Sequence, residues 1–290
     1  MKPPRFAYHA PRTLPELLET LNETADEAVV LAGGQSLLPM LNLRLAAPSH
    51  VIDLGRVPGL DSIASTNGSV EVGAMVTHYR METDAVVAAS VPLARRAAGY
   101  VGYRAIRNRG TVGGSVAHAD PAAEWPIVLL ALDGEVGLAS VRGWRSITAE
   151  DFFESVYTTA KRPDEIVTSL RFSTRCAHRW GFSEFQRRTG DFATVAVAVA
   201  CAVEAGEICE ARVAIAGVAD RPVRCREAEA ALVGGSATAA ADAAEAASDS
   251  VDPISDIHGS SAFRKRLVHA ETLRAARQAF SANEAGARDG

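Results

Sequence analysis

AGGQSLLP, residues 32–39, places two adjacent glycines, a glutamine and a serine directly after the apolar run 29–32. A second stretch, TVGGS at residues 111–115, repeats the pairing of glycines with hydroxyl side chains. Glycine lets successive backbone N–H groups turn toward one point, and Ser and Thr hydroxyls add further donors. Together the two segments predict a site that holds one pyrophosphate from both sides.

Each diglycine segment, taken alone, is also compatible with an ordinary turn, because glycine pairs are common in turns. Neither segment matches G-x-G-x-x-G, the dinucleotide fingerprint, or G-x-x-x-x-G-K-[ST], the P-loop. The sequence therefore supports neither a Rossmann site nor a P-loop. Two adjacent glycines disfavour helix, so residues 111–115 are not predicted to form a regular helix.

Cap and turn signals predict where helices and strands begin and end in the first half of the chain. Thr13 and Glu16 have the spacing of a capping box and predict a first helix. Asn67-Gly68 predicts a hairpin with a type I′ turn, which needs positive φ at both central residues. Strands are predicted at 29–32, 51–54, 136–138 and 166–172, and helices at 90–99 and 124–132.

The pattern of apolar and small residues changes at about residue 180. Valines and Cys201 alternate with alanines over 195–203, which predicts a strand with a larger face and a small face on which a helix packs closely. Ala205-Gly206 predicts a turn into a returning strand at 213–215. Helices are predicted at 227–233, at 237–247 and after Ser260 or Ser261. The combined pattern is that of an α+β protein with a boundary near residues 175–180.

Composition excludes several classes of protein. The 290 residues include 35 acidic and 30 basic side chains, for a net charge of -5, so no bulk field attracts nucleic acid or an anionic membrane. The most apolar stretch, 192–203, is shorter than the roughly 20 residues of a membrane span. Met1 is followed by charged and proline residues rather than an apolar segment, so we expect a cytoplasmic protein.

The cysteines do not have the spacing of a metal site. Cys176, Cys201, Cys209 and Cys225 form no C-x-x-C pair. We expect free thiols in a reducing compartment, no bound metal, and no iron–sulfur cluster in this chain, because such clusters need grouped thiolates.

Three motifs together resemble a known family. AGGQSLLP (32–39), RNRGTVGGS (107–115) and DPAAE (120–124) are similar to the signatures of the FAD-binding medium subunits of molybdenum hydroxylases, the family of xanthine dehydrogenase and carbon monoxide dehydrogenase. The resemblance extends from the first helix to about residue 280. It implies an FAD-binding domain of the vanillyl-alcohol-oxidase type at 1–176, with subdomains at about 1–56 and 57–176. A C-terminal domain with an antiparallel sheet and helices would follow at 177–282, and then a tail at 283–290.

The resemblance also implies which residues bind FAD. Glu124 stands at the position of a carboxylate that contacts hydroxyls on the flavin side, and Val167 at an aliphatic position near the ring or the adenine. Phe192 matches an aromatic position beside the isoalloxazine that is often tyrosine, whereas Glu184 stands where relatives often carry lysine. On residue type alone, Glu124 is equally a helix N-terminal acid and Val167 a core residue. The implied FAD-binding residues are Ala32, Gly33, Gly34, Gln35, Ser36, Leu37, Thr111, Val112, Gly113, Gly114, Ser115, Glu124, Val167 and Phe192.

The function implied by the resemblance is that of an oxidoreductase subunit. A large molybdopterin subunit would pass electrons to a small subunit with [2Fe-2S] clusters. FAD in this chain would accept them from the small subunit and pass them to an external acceptor. The implied assembly is a dimer of heterotrimers. No residue of this chain is predicted to be catalytic, and His78, His118 and Asp120 are interpreted as structural. The alternatives are a stand-alone flavin oxidase or dehydrogenase of the same fold, and a nucleotide-binding module without redox function.

Overall fold

Strands and helices are mixed along the chain. The computed structural model describes residues 2–235 and 238–286. The strands are β1 (Ala7–His9), β2 (Ala28–Leu31), β3 (His50–Asp53), β4 (Ile63–Thr66), β5 (Ser69–Gly73), β6 (Glu135–Ser140), β7 (Gly143–Thr148), β8 (Phe153–Ser155), β9 (Thr158–Thr159), β10 (Ile166–Ser173), β11 (Arg179–Phe185), β12 (Val195–Glu204), β13 (Glu207–Ala216) and β14 (Val223–Arg224). The helices are α1 (Leu14–Thr24), α2 (Leu37–Asn42), α3 (His78–Thr83), α4 (Ala85–Ser90), α5 (Pro92–Ala98), α6 (Arg104–Arg107), α7 (Val112–His118), α8 (Glu124–Ala131), α9 (Ala149–Phe152), α10 (Arg226–Leu232), α11 (Ala239–Ser250) and α12 (Ser261–Gly286).

Three sheets organise the molecule. The first is parallel, in the order β1-β3-β2. The second is antiparallel, in the order β4-β5-β10-β6-β7, and the third is antiparallel, in the order β11-β12-β13-β14. A small ribbon, β8-β9, lies beside them. The predicted α+β class is confirmed.

Local signals account for several element ends. The Thr13 hydroxyl accepts a hydrogen bond from the N–H of Glu16 at the start of α1, as the capping box predicts. Asn67-Gly68 connects β4 to β5, so the predicted hairpin is confirmed. Of its two central residues only Gly68 has positive φ, which is the pattern of a type II turn rather than the predicted type I′. Both Ala205 and Gly206 have positive φ in the turn between β12 and β13.

The helix predicted over 90–99 is α5 (Pro92–Ala98), which begins two residues later than predicted because a separate helix, α4, ends at Ser90. α4 ends at Ser90, and α5 begins at Pro92, whose ring nitrogen has no proton to donate. Proline is tolerated in the first turn of a helix and disrupts its interior, so it starts a new helix here rather than extending the old one.

The prediction that residues 111–115 are not a regular helix is wrong. They form the start of α7, with Thr111 as its N-cap. The Thr111 hydroxyl accepts from the N–H of Gly114 at 3.1 Å. The helix cost of a glycine, about 1 kcal/mol, is outweighed by tertiary packing. A Cβ at Gly113 would lie 2.6 Å from the Cα of Ala74, so only glycine permits this approach.

The two faces of β12 belong to different cores, as the alternation predicts. Ala196, Ala198 and Ala200 are fully buried in one core together with the residues of α8. The valines of the opposite face pack in a second core with residues of α10, α11 and α12. The small face of this strand is therefore where the C-terminal sheet contacts the preceding part of the chain.

Two further predictions concern the chain end and the cysteines. α12 continues to Gly286, so residues 283–286 are helical rather than part of a tail. Residues 287–290 of the predicted tail, and Ala237 of the predicted helix at 237–247, lie outside the described residues. All four cysteines are free thiols, of which Cys209 is exposed. Within residues 2–235 and 238–286, no helix has the length and apolar character to cross a membrane.

Candidate functional site

A cavity of about 470 Å³ lies where the parallel sheet, the antiparallel sheet and the segment before β12 meet. Thirteen of the fourteen predicted residues line it, namely Ala32, Gly33, Gly34, Gln35, Ser36, Leu37, Thr111, Gly113, Gly114, Ser115, Glu124, Val167 and Phe192. Val112 does not line it. Its side chain is fully buried in the core, and its N–H donates to the carbonyl of Val76 at 2.9 Å.

The two diglycine segments are in direct contact. A Cβ at Gly33 would lie 2.7 Å from the Cα of Gly110, at the entry to the second segment. A Cβ at Gly114 would lie 3.4 Å from the Cβ of Ala32. β2 delivers the first segment and α7 the second, and the absence of Cβ atoms lets their backbones approach.

The two segments differ in the donors they offer. Gly34 has φ of 74°, and the N–H groups of Gly34, Gln35 and Ser36 form no hydrogen bond with any described residue. In the second segment four of the five backbone N–H groups are already used, by the bonds Val112 N to Val76 O, Gly113 N to Ala74 O, Gly114 N to Thr111 Oγ1 and Ser115 N to Thr111 O, whereas the N–H of Thr111 forms no hydrogen bond with any described residue. The first segment therefore supplies free amides. The second supplies hydroxyls, the single free N–H of Thr111 and a glycine surface, so its amides offer fewer donors to an anion than the sequence predicts.

Glu124 is a buried acid at the wall of the cavity. It is the first residue of α8 and is 4% exposed. Its pKa is raised to about 7, chiefly by burial and also by the charge of Asp120, against the opposing effect of its own backbone N–H. A carboxyl group that is partly protonated near neutral pH can accept from a hydroxyl or donate to one.

Glu184 does not line the cavity, but it lies near Glu124. It is on the face of β11 that carries Phe182 into the first core. Both of its carboxylate oxygens are sealed from solvent and have no hydrogen-bond partner in the described part of the chain. Burial, together with smaller effects of the negative charges of Glu124 and Glu271, raises the pKa of Glu184 to about 9. A dry, unpartnered carboxyl group is stable only in its neutral form.

Several lining residues were not assigned to the site from the sequence. They include Leu21, His78, His118, Asp120, Lys161 and Glu165. The Lys161 ammonium donates to the carbonyls of Arg162 and Glu165 at 3.0 and 3.2 Å, and burial lowers its pKa. No spacing rule connects these residues, because they come from five separate elements or loops. Only Asp120, inside the DPAAE motif, carried a local signal.

The lining fits a dinucleotide with a diphosphate bridge. Free amides and hydroxyls converge where the two diglycine segments meet, which suits phosphate oxygens. Apolar walls that include Val29, Val101 and Ile106 suit flat aromatic rings. Phe192 is 62% exposed and offers a ring face at the mouth of the cavity.

Comparison with known proteins agrees with this geometry. Residues 4–173 match the model of the FAD binding domain in molybdopterin dehydrogenase, and residues 180–279 match that of the CO dehydrogenase flavoprotein C-terminal domain. The nicotine 6-hydroxylase medium subunit of Paenarthrobacter nicotinovorans is 42% identical over 270 residues, which cover 92% of this chain and 95% of that one.

Two solved structures have the same fold. Carbon monoxide dehydrogenase from Hydrogenophaga pseudoflava superposes with a TM-score of 0.92 at 34% identity, over 97% of this chain and 99% of the matched one. Quinoline 2-oxidoreductase from Pseudomonas putida 86 superposes with a TM-score of 0.91 at 40% identity, over 96% and 98%.

Proposed function

Because the chain belongs to the FAD-binding medium subunits of the molybdenum hydroxylases, we propose that it accepts electrons from an iron–sulfur subunit and passes them to an external acceptor. The chain is a flavoprotein and a component of an oxidoreductase. FAD would supply the redox chemistry, since a flavin can exchange electrons either one or two at a time. The observation that carries the proposal is the cavity formed by the two contacting diglycine segments.

The residues of the chain would hold the cofactor in a defined orientation. The free N–H groups of Gly34, Gln35 and Ser36 bind the pyrophosphate, and the hydroxyls of Thr111 and Ser115 bind it from the other side. Support comes from the convergence of these groups on one cavity. Amides that are already oriented do not have to reorganise when an anion binds, so they hold it without a cationic side chain.

The opposite end of the site would hold the flavin. Glu124 contacts ribityl hydroxyls, Val167 packs against a ring, and Phe192 covers the isoalloxazine from the mouth. Their positions on the lining of one cavity support these roles. Ala32, Gly33, Leu37, Gly113 and Gly114 shape the walls. The buried core position of Val112 gives it no direct contact in this proposal.

The partners and location are part of the same proposal. A large molybdopterin subunit oxidises the substrate, and a small [2Fe-2S] subunit carries electrons to this chain, in a cytoplasmic dimer of heterotrimers. Residues 1–176 act as the FAD-binding domain and 177–282 as the C-terminal domain. Named relatives are medium subunits or chains of nicotine hydroxylase and carbon monoxide dehydrogenase, which supports a multi-subunit assembly.

The function is tested by purifying the tagged chain from a host that also expresses its neighbouring genes. We expect a flavin absorption spectrum with FAD released on denaturation, and molybdenum and iron in stoichiometric co-purifying chains. Reduction of the flavin by substrate should require those chains. A yellow protein that oxidises substrates alone would instead indicate a stand-alone flavin enzyme, and a colourless protein would contradict the cofactor assignment.

Replacing Gly114 with valine is expected to lower FAD content at least about tenfold while the protein stays folded, a loss of about 1.4 kcal/mol of binding free energy. The new side chain would project near the Thr111 hydroxyl and into the cavity. FAD content is measured by absorbance, and folding by circular dichroism. Ala89→Val, on an exposed position of α4, creates the same valine side chain away from the cavity and should leave FAD content unchanged. Normal FAD content in folded Gly114→Val would contradict the site.

A further inference from the structure

His78 is a buried residue to which neither the sequence analysis nor the proposed function gives a role in binding the cofactor. It is the first residue of α3, is 4% exposed and lines the cavity. Its backbone N–H donates to the carbonyl of Gly110 at 3.0 Å, which ties the start of α3 to the segment that leads into Thr111. The ring is therefore held at a constant position beside the second diglycine segment.

A single contact determines which ring nitrogen carries the proton. The indole N–H of Trp125 donates to Nδ1 of His78 at 3.0 Å, and the two rings are stacked with centroids 5.8 Å apart. An indole nitrogen can only donate, so Nδ1 must carry its lone pair. The proton of the neutral imidazole is then on Nε2.

The charge state of the ring is determined as well. Burial, together with a smaller effect of the positive charge of Arg107, lowers the pKa of His78 to about 3. The imidazole is neutral throughout the physiological range, so Nε2 is a donor that does not switch off with pH.

The Nε2 proton has no partner within the described residues. The Cδ2–Nε2 edge of the ring faces Gly110, where an added Cβ would lie 2.8 Å from both atoms. Nε2 forms no hydrogen bond with a described residue, but the atom keeps some access to solvent, unlike the unpartnered buried atoms elsewhere in the chain. An oriented, unused donor on a ring that lines the cavity points to a ligand acceptor.

We propose that Nε2–H of His78 donates a hydrogen bond to an oxygen of the bound dinucleotide next to Gly110 and Thr111, with Trp125 holding the ring in the donating tautomer. The proposal rests on FAD binding in this cavity and adds a side-chain donor from α3 to the two diglycine segments. It also explains why a glycine precedes Thr111, because a Cβ at Gly110 would displace the donating edge.

The first test observes the ring directly. In the full-length apoprotein labelled with ¹⁵N-histidine, we expect His78 to show a protonated Nε2 and an unprotonated Nδ1 over pH 5–8. On addition of FAD the Nε2 resonance should shift markedly, whereas Nδ1 should change little because its bond to Trp125 persists. His9 or His258, which lie outside the cavity, serve as internal controls.

The second test measures how the loss of the imidazole changes FAD affinity when the Trp125 indole is absent from both variants. Trp125→Phe alone keeps the imidazole, and His78→Leu combined with Trp125→Phe removes both polar partners together. We expect the double variant to bind FAD about tenfold more weakly than Trp125→Phe, the effect of losing one hydrogen bond to a charged or strongly polar acceptor. FAD affinity is measured by quenching of flavin fluorescence, and folding by thermal unfolding.

The outcomes separate this proposal from the proposed function. If the wild-type chain binds FAD but the Nε2 resonance does not move, or the two variants bind equally well, the role of His78 is wrong and the flavoprotein assignment stands. If the wild-type apoprotein does not bind FAD at all, both fail.

Discussion

Replacing Gly33 with alanine is expected to abolish FAD binding and to destabilise the protein strongly. The added Cβ would lie 2.7 Å from the Cα of Gly110 and 2.9 Å from the carbonyl carbon of Arg109. Both are backbone atoms that cannot rotate away, so the two diglycine segments must separate. Overpacking of this kind costs about 1–3 kcal/mol or more, and the separation also opens the cavity that we propose holds the pyrophosphate.

The effect of Gly33→Ala is measured as FAD content per chain and as the thermal unfolding midpoint. The matched control is Gly99→Ala, because Gly99 has φ of -68° and its added Cβ would meet only the Arg96 carbonyl, at 3.4 Å. We expect the control to bind FAD normally and to unfold within a degree or two of the wild type. Unchanged FAD content in Gly33→Ala would show that the contact between the segments is not needed for the site.

Replacing Glu184 with glutamine is expected to stabilise the protein at neutral and alkaline pH. The folded state raises the pKa of Glu184 from its usual 4.5 to about 9, chiefly through burial. Between these values the unfolded chain releases this proton and the folded chain keeps it, so the wild type loses stability as pH rises. This loss of unfolding free energy is absent below about pH 4.5 and reaches its full size above about pH 9.

Glutamine keeps the shape of the side chain and removes the ionisation. At pH 7, which is about 2.5 units above the pKa of the unfolded chain, ionisation of Glu184 lowers the free energy of unfolding of the wild type by at most about 3 kcal/mol. Unfolding midpoints of the full-length chain measured from pH 5 to pH 9 should converge at low pH and diverge as pH rises. Glu204→Gln, at an exposed position on the end of β12, is the control and should follow the wild type. Parallel curves for wild type and Glu184→Gln would contradict a neutral Glu184.

Glu184 also bears on the flavin site. Its neutral carboxyl group leaves Glu124 without a charged partner from the C-terminal sheet, although the two acids are close enough for the charge of Glu124 to raise the pKa of Glu184. The position therefore brings no cation toward the cavity, in contrast to the lysine that the family resemblance leads one to expect.

Signals that act over a few residues were sufficient for much of the secondary structure. The Thr13 cap, the Asn67-Gly68 hairpin and the two-faced strand at 195–203 were all predicted and are present. Each depends on the chemistry of neighbouring residues, namely a hydroxyl at a helix start, a flexible turn residue and the period of two in a strand.

The failures occurred where distant contacts outweighed local preference. Residues 112–115 are helical because Gly113 approaches Ala74 closely and Thr111 caps the first turn. This outcome could not be read from the glycines themselves, since their intrinsic preference opposes helix. Val112 was included in the site with its neighbours, but the helix turns its side chain into the core.

Residue order alone was enough to identify the two diglycine motifs, their family and thirteen of the residues that line the cavity, because those motifs are continuous stretches with unusual composition. The folded chain decided that most of the free amides are in the first segment, that His78 carries its proton on Nε2, and that Glu184 is neutral. These properties arise from hydrogen bonds and burial between residues far apart in the chain. No local pattern encodes them, because a side chain's protonation and an amide's availability depend on what packs against them.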